Sequence, residues 1–341
     1  MKEIRKEAFT GHWVVFNSSL REKVFEFWKD RHYETAKLTE CSFCAGHEKE
    51  TPPENLAYRK VDSVKDGPGW WVRVFENKGA VLQPDEELDR KPSGIYDVIT
   101  GFGIHEIIVE TPEHKTQLEE LQFNQVRDVI WAYKERITEL KNDKRFKYVT
   151  IFKNFGLGTF GSMEHSHSQI LATPITPRKI KEELIQAKSY YEDKERCLFC
   201  DVIKHELRLK ERVVLETPNF VAITPFASLS PYEVFILPKH HQALYEEIVP
   251  TVANDLTETI IIVLKKLAAL LSVPPYTLVL HTAPNLIPRP GYWSTINYDF
   301  HWHIEVSPRL FRMSGLEWGT GFFFNPILPE TAAEELKNTK I

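Results

Sequence analysis

Four cysteines and one run of alternating histidines are where this sequence could do chemistry. The cysteines fall in two C-x-x-C pairs, Cys41/Cys44 and Cys197/Cys200, in a chain with thirteen histidines. Disulfides are disfavoured in a reducing cytosol, so such a pair reads as half a metal site or as a redox motif. One spacing used twice, with histidines in excess, favours metal. Structural zinc takes four nitrogen or sulfur ligands in a tetrahedron. Each pair supplies two thiolates from one turn, and two more ligands must follow later in the chain. In the first half the candidates are His105, His114, His165 and His167, and the chosen set is Cys41, Cys44, His114 and His165. In the second half it is Cys197, Cys200, His241 and His301, with His240 as the alternative to His241. A lone histidine after a strand is ordinarily a surface residue. His114 and His241 are chosen because both follow a strand and a proline in the same slot of their halves.

The stretch from Asn154 to Gln169 starts as a strand, crosses a glycine-bearing loop and ends in His165-Ser166-His167-Ser168-Gln169. Glycines let backbone N–H groups close around an anion. Alternation puts His165, His167 and Gln169 on one face of an extended strand. Imidazole, with an ordinary pKa of about 6.5, is largely neutral at pH 7 and is a competent nucleophile toward phosphorus. A neutral attacker also escapes the repulsion of a phosphodiester. Ser162 and Gln169 can donate hydrogen bonds to the phosphoryl oxygens as charge develops. From the residues alone, His165 and His167 could equally both be metal ligands, or be packed in a sheet.

The elements that must position these residues occur twice. The first half reads Cys41-x-x-Cys44, a strand at 70–78, a strand at 104–112, a helix over 118–140, a strand at 148–154, then His165-Ser166-His167. The second reads Cys197-x-x-Cys200, a strand at 219–225, a strand at 232–241, a helix over 252–271, a strand at 276–284, then His301-Trp302-His303. Both helices space apolar residues by three or four, and the strands are rich in Val, Ile, Phe and Tyr. Matching order with matching cysteines and histidines argues for a duplicated α+β unit. Residues 48–68, polar and proline-bearing, read as a loop. Residues 178–196 read as a helical connector with a solvated, charged face. The chain has 341 residues, net charge −5, 42% hydrophobic and 27% charged residues. That composition fits two globular units and excludes a disordered chain or a coiled coil. It lacks the basic excess of a nucleic-acid binder. No run of about 18 apolar residues predicts a membrane span, and Met1–Trp13 has no apolar core for a secretory signal. A cytoplasmic location is expected.

The run F-K-N-F-G, glycine loop, H-S-H-S-Q resembles the active-site stretch of the galactose-1-phosphate uridylyltransferase family, the transferase branch of the histidine-triad superfamily. The resemblance extends along nearly the whole chain, through F-T-G-H-W-V-V-F, R-V-F-E-N-K, V-E-T-P-E-H, L-P-K-H-H, L-H-T-A-P-N, H-W-H-I-E-V-S-P-R-L and G-L-E-W-G-T-G-F-F-F-N-P. It implies two histidine-triad-like half-barrels of mixed or antiparallel sheet with packed helices, divided here at 1–190 and 191–341. It implies His167 as nucleophile and His165 as metal ligand. Asn77, Asn154, Gly161, Ser162 and Gln169 would surround the nucleotide and phosphates, and Glu317 would face the hexose phosphate. The P-x-x-H pattern of the family favours His241 over His240. The family's paired arginines are not matched near 17–24, where Arg21 and Lys23 stand in. His303 could be a second nucleophile, but no glycine-rich cradle precedes it, so a structural or weak metal contact is expected. His281 is a further metal-proximal candidate.

The implied reaction is ping-pong transfer of UMP from UDP-glucose to galactose 1-phosphate, within galactose metabolism. The implied cofactors are two structural zinc ions, with iron an alternative at the second site, and the implied assembly is a homodimer. A relative using ADP-glucose and inorganic phosphate through the same His167 is the first alternative. A non-catalytic, zinc-stabilised nucleotide-binding protein is the second.

Overall fold

The computed structural model describes residues 2–23, 26, 41–114, 116–156, 164–288 and 293–341. Its strands are β1 (Lys2–Lys6), β2 (Trp13–Asn17), β3 (Glu54–Arg59), β4 (Trp70–Glu76), β5 (Arg90–Ser93), β6 (Tyr96–Ile99), β7 (Ile104–Val109), β8 (Tyr148–Phe155) and β9 (His167–Thr173), then β10 (Val213–Glu216), β11 (Phe220–Ile223), β12 (Val234–Pro238), β13 (Tyr276–His281), β14 (His303–Pro308) and β15 (Phe323–Asn325). Ten of them form one antiparallel sheet in the order β10-β11-β12-β14-β13-β8-β9-β7-β4-β3. The order reads alike from either end, with β8 and β13 at the centre. The duplication inferred from sequence is therefore a two-fold pseudo-repeat, in which β7, β9 and β8 correspond to β12, β14 and β13. Pairing of Ile151 with Leu280 and of Asn154 with Thr277 fuses the halves. This is an α+β protein.

Helix α1 (Phe123–Leu140) buries Val126, Val129, Ile130, Tyr133, Ile137 and Leu140. That stripe, without glycine or proline, is what makes this segment an amphipathic helix. Each such side chain contributes about 1.5–3 kcal/mol on burial. Helices α2 (Arg178–Lys194) and α3 (Leu198–Leu209) follow, and α4 (Pro250–Leu271) is the counterpart of α1. Proline opens α4 and Ser272, at φ 57°, ends it. Both α1 and α4 pack on one face of the sheet, over Ile108, Ile151, Ile170, Leu278, Ile304 and Val306. Ile170 and Ala172 point there, so alternation turns His167 and Gln169 to the other face.

That second face is covered unequally. Over the second half, Ile180 and Leu184 of α2 and Phe199 and Ile203 of α3 pack with Phe9 against Val221, Phe235 and Leu237. Over the first half, Cys41 and Phe43 pack on Trp70, Phe75, Ile107 and Val109. The connector is thus not simply a solvated helix: Ile180, Glu183, Leu184 and Ala187 of α2 are buried. The predicted 48–68 loop is also corrected, since it contains β3. An edge strand needs only one paired side, so polar residues persist there. The small sheet β1-β2-β15 was not foreseen either, because β15 pairs in parallel with β2 from the far end of the chain. Among the described residues no helix is long and apolar enough to cross a membrane.

Candidate active site

Both predicted metal sets come together. Cys41, Cys44, His114 and His165 form one cluster and Cys197, Cys200, His241 and His301 another, with each cluster's ligand atoms within 4.8 Å of one another. The first pair lies in a tight turn, with Cys44 N–H bonded to the Cys41 carbonyl at 3.1 Å. In the second pair Cys197 precedes α3 and Cys200 is in its first turn, a spacing that puts both sulfurs on one side. Cys44 Sγ lies 3.6 Å from Nδ1 of both His114 and His165, and Cys200 Sγ lies 3.4 Å from His241 Nδ1 and 3.8 Å from His301 Nδ1. A tetrahedral ion with bonds of about 2.3 Å to sulfur and about 2.0 Å to nitrogen has S···N edges of about 3.5 Å. The donors therefore fit a tetrahedral metal. Three of the four other ring nitrogens are held by carbonyls: His165 Nε2 by Thr111 at 2.7 Å, His241 Nε2 by Asn297 at 2.9 Å and His301 Nε2 by Pro238 at 2.8 Å. These bonds aim Nδ1 at the sulfurs. His240, on the surface, is in neither cluster.

His167 opens β9, two residues beyond His165 of the first cluster. Its Nδ1–H donates to the His165 carbonyl at 2.8 Å. That bond fixes the tautomer and leaves the lone pair on Nε2, which has no hydrogen-bond partner among the described residues. Burial pushes the imidazole below its ordinary pKa, so it stays neutral. Phe43 packs edge-on to the ring, with centroids 5.5 Å apart. Gln169 projects from the same face, and its Oε1 accepts from His105 Nε2 at 2.8 Å. Asn77 borders His105, its N–H bonded to the His105 carbonyl at 2.8 Å. Ser42, Phe43, Thr51, Phe75, Asn77 and Ile107 line a cavity of about 420 Å³ beside this row. Asn154 is the penultimate residue of β8 and accepts from Thr277 Oγ1 at 3.3 Å. Gly156 follows with φ +82°, where any Cβ would meet Pro275 within 3 Å. A glycine is required for that turn. Ser162 and Gly161 lie outside the described residues.

Arg21 is held by Glu335 at 2.7 Å and Tyr232 at 3.2 Å. Glu317 accepts from the Ser314 hydroxyl, capping the short helix over Gly315–Thr320, and lines a second cavity with Lys179, Thr277 and Arg309. Sequence reasoning missed His105 as the partner of Gln169, and missed Phe43. The alternation His105, Ile107, Val109 puts His105 on the right face, but only the β7–β9 register brings it to Gln169.

His281 and His303 join Glu183 and Glu305 in a fully buried third cluster. His281 Nδ1 lies 2.9 Å from Glu183. Stacked Phe235 and tilted Phe199, with ring centroids 5.4 and 5.3 Å away, enclose His303, and Phe9 lies beyond them at 6.3 Å. Further short helices are α5 (Ile296–Asp299), α6 (Gly315–Thr320) and α7 (Pro329–Asn338).

Two family models cover almost all of the chain. Residues 2–177 match the galactose-1-phosphate uridyl transferase N-terminal domain and residues 182–339 match its C-terminal domain. This chain belongs to the galactose-1-phosphate uridyl transferase family. Within it, an ADP-glucose phosphorylase of Arabidopsis thaliana is 32% identical over 99% of this chain and 93% of its own length. A galactose-1-phosphate uridylyltransferase of Thermotoga maritima is 29% identical over 100% of this chain and 99% of its own. The crystal structure of an Arabidopsis thaliana ADP-glucose phosphorylase with bound ADP-glucose superposes with a TM-score of 0.83 at 30% identity, covering 100% and 99% of the two chains. The family assignment makes this chain a nucleotidyltransferase of a family whose typical substrates are sugar nucleotides.

Proposed function

We propose that the chain moves a nucleoside monophosphate from a nucleoside-diphosphate hexose to a phosphate-bearing acceptor through a covalent nucleotidyl-His167. The observation that carries this is the His167 Nδ1–H bond to the His165 carbonyl, which leaves Nε2 as the nucleophilic atom. Nε2 attacks the α-phosphorus, and the bond from that phosphorus to the bridging oxygen breaks. Hexose 1-phosphate leaves with the bond electrons. An acceptor phosphate oxygen then attacks the same phosphorus and expels neutral imidazole. Gln169 donates to the phosphoryl oxygens, and Ser162 and Gly161 are assigned to the same phosphates. The cavity of Phe43, Phe75 and Asn77 takes the base and ribose, and Asn154 serves the phosphates. Arg21 and Glu317 are assigned to the acceptor side, the latter through the cavity it shares with Lys179 and Arg309. Two zinc ions would crosslink the Cys/His sets structurally, as thiolate-rich tetrahedral donors favour zinc over iron.

ADP-glucose with inorganic phosphate, releasing ADP, is the donor–acceptor pair we favour. Its support is the 32% identity to the Arabidopsis phosphorylase and the fit to its ADP-glucose complex. UDP-glucose with galactose 1-phosphate is the second reading, supported by the Thermotoga relative. Intact mass spectrometry after incubation with each donor distinguishes an AMP from a UMP adduct. No adduct with either donor, or an adduct that survives His167→Gln, refutes the mechanism.

A further inference from the structure

Behind the proposed nucleophile, on the helix-packed face of the sheet, lies a buried polar quartet that no step above uses. Lys153 on β8 and Glu110 just past β7 are 1% and 0% exposed. Lys153 Nζ donates to Glu110 at 2.7 Å, to Ser166 Oγ at 2.9 Å and to the His167 carbonyl at 3.3 Å. Glu110 also accepts from the hydroxyls of Ser166, at 2.6 Å, and Ser168. Its N–H donates to the Ser166 carbonyl at 3.1 Å. One carboxylate thus holds the serines on both sides of His167, and its ammonium partner holds the carbonyl between them. Tyr133 of α1 closes the network on Ser168 at 2.6 Å.

The pseudo-repeat shows what this fold needs at these places. Val109 faces His167, so Glu110 stands opposite Ser166; Ile236 faces Ile304, so Pro238 stands opposite Trp302. Phe152 faces Gln169, so Lys153 stands opposite Ser168; Leu280 faces Ile304. Where the first half has Glu110, Lys153, Ser166 and Ser168, the second therefore has Pro238, Leu280, Trp302 and Ile304. All four of these are buried. The same strands, turns and metal-ligand candidates form there with uncharged side chains at these four positions. Burying an ion pair is seldom a gain over apolar packing. The charged quartet is therefore not what this fold requires for stability, and it occurs in the half that carries the free histidine.

We propose that Glu110, Lys153, Ser166 and Ser168 are positioning residues that lock the backbone of His167 so that Nε2 keeps its in-line placement through both half-reactions. This rests on the nucleotidyl-His167 reading. None of the four faces the substrate side, so their removal lowers the rate and leaves donor affinity alone. A displacement of about 1 Å at a reacting atom costs up to about 100-fold.

Two variants test it. Glu110→Gln/Lys153→Leu removes both charges together, with leucine already accepted at the matching position of the other half. Ser166→Ala/Ser168→Ala leaves the ion pair and cuts its ties to the strand. Metal content and melting report folding, and single-turnover adduct formation reports rate and donor Kd separately. The expected result for each folded variant is a rate at least about tenfold lower with Kd unchanged. A folded variant with the parental rate, or a loss confined to Kd, overturns the proposal. Failure of both variants to fold also overturns it, by making the quartet structural. The parent protein run alongside separates the two claims: no adduct on the parent refutes the nucleotidyl reading itself, whereas a parental adduct with unaffected variants refutes only the positioning role.

Discussion

In the proposed mechanism, His105 decides which end of Gln169 faces the substrate. Its Nδ1 accepts from the Val81 N–H at 3.3 Å, so its Nε2 carries the proton and donates to Gln169 Oε1. The carbonyl end of the amide is thereby occupied and the NH2 end is left for a phosphoryl oxygen. His105→Phe keeps the ring and loses the donor; adduct formation should slow by about tenfold. Gln169→Glu removes the donating group itself and should slow it by about 100-fold or more, the loss typical of one donor to developing negative charge. Single-turnover measurements compare the two, and an unimpaired His105→Phe protein would remove His105 from this role. The H-S-H-S-Q alternation was legible in sequence, because a strand's period is local. The part played by His105, Glu110 and Lys153 was not, because it depends on which strands become neighbours.

At the scale of elements, the C-x-x-C pairs are staples between segments far apart in sequence. Cys197 and Cys200 at the start of α3 meet His241 beyond β12 and His301 before β14. The two Cys/His clusters were readable because spacing and matching slots are sequence properties, and His241 rather than His240 is the residue in the second one. The roof formed by α2 was read only in part: its helical character shows in the charged, helix-prone residues, but its buried seam is set by what lies beneath. Cys197→Ser should release about one metal equivalent and lower the melting temperature by about 6–12 °C, the shift of a loss of about 3 kcal/mol in a domain of this size. The rate of His167 nucleotidylation should hold within a few-fold. Elemental analysis, calorimetry and intact mass check this together; lost adduct formation with unchanged melting would give that metal a direct part in the chemistry.

Across the whole molecule, the last helix ties the N-terminal sheet to the second half. Glu330 of α7 accepts from Arg5 at 2.8 Å and from Arg212 at 2.7 Å. Burial alone would raise this carboxyl, but Arg5 and Arg212 carry it below its ordinary value of 4.5. A depressed carboxyl gives stability that is present above that value and fades as pH falls through the folded one. Glu330→Gln should cost about 1–2 kcal/mol at neutral pH, allowing for partial exposure. It should also flatten the loss of melting temperature below pH 4.5; a variant with the parental acid profile would contradict the linkage. The pseudo-repeat raises the larger question of why one half should react and the other not. His303 occupies the place of His167, and its Nδ1 holds the His301 carbonyl at 3.1 Å, much as His167 holds that of His165. Tautomer and strand position are thus the same in both halves. What differs is the surroundings: α2, α3 and Phe9 roof the second half, Phe199 and Phe235 enclose the His303 ring, and Glu305 lies 3.7 Å from its Nε2, where against burial Glu305 and Glu183 raise that imidazole above its ordinary value. Opening that roof would expose the apolar core that α2 and α3 form with the sheet. Saturating donor should therefore load one nucleotide per chain, on His167 alone. His303→Asn should load the same single nucleotide at a rate within about threefold of the parent, a change of about 0.7 kcal/mol in barrier. Peptide mapping of the adduct decides it: nucleotide on His303, or two per chain, would mean that the roof opens and that the halves share the chemistry.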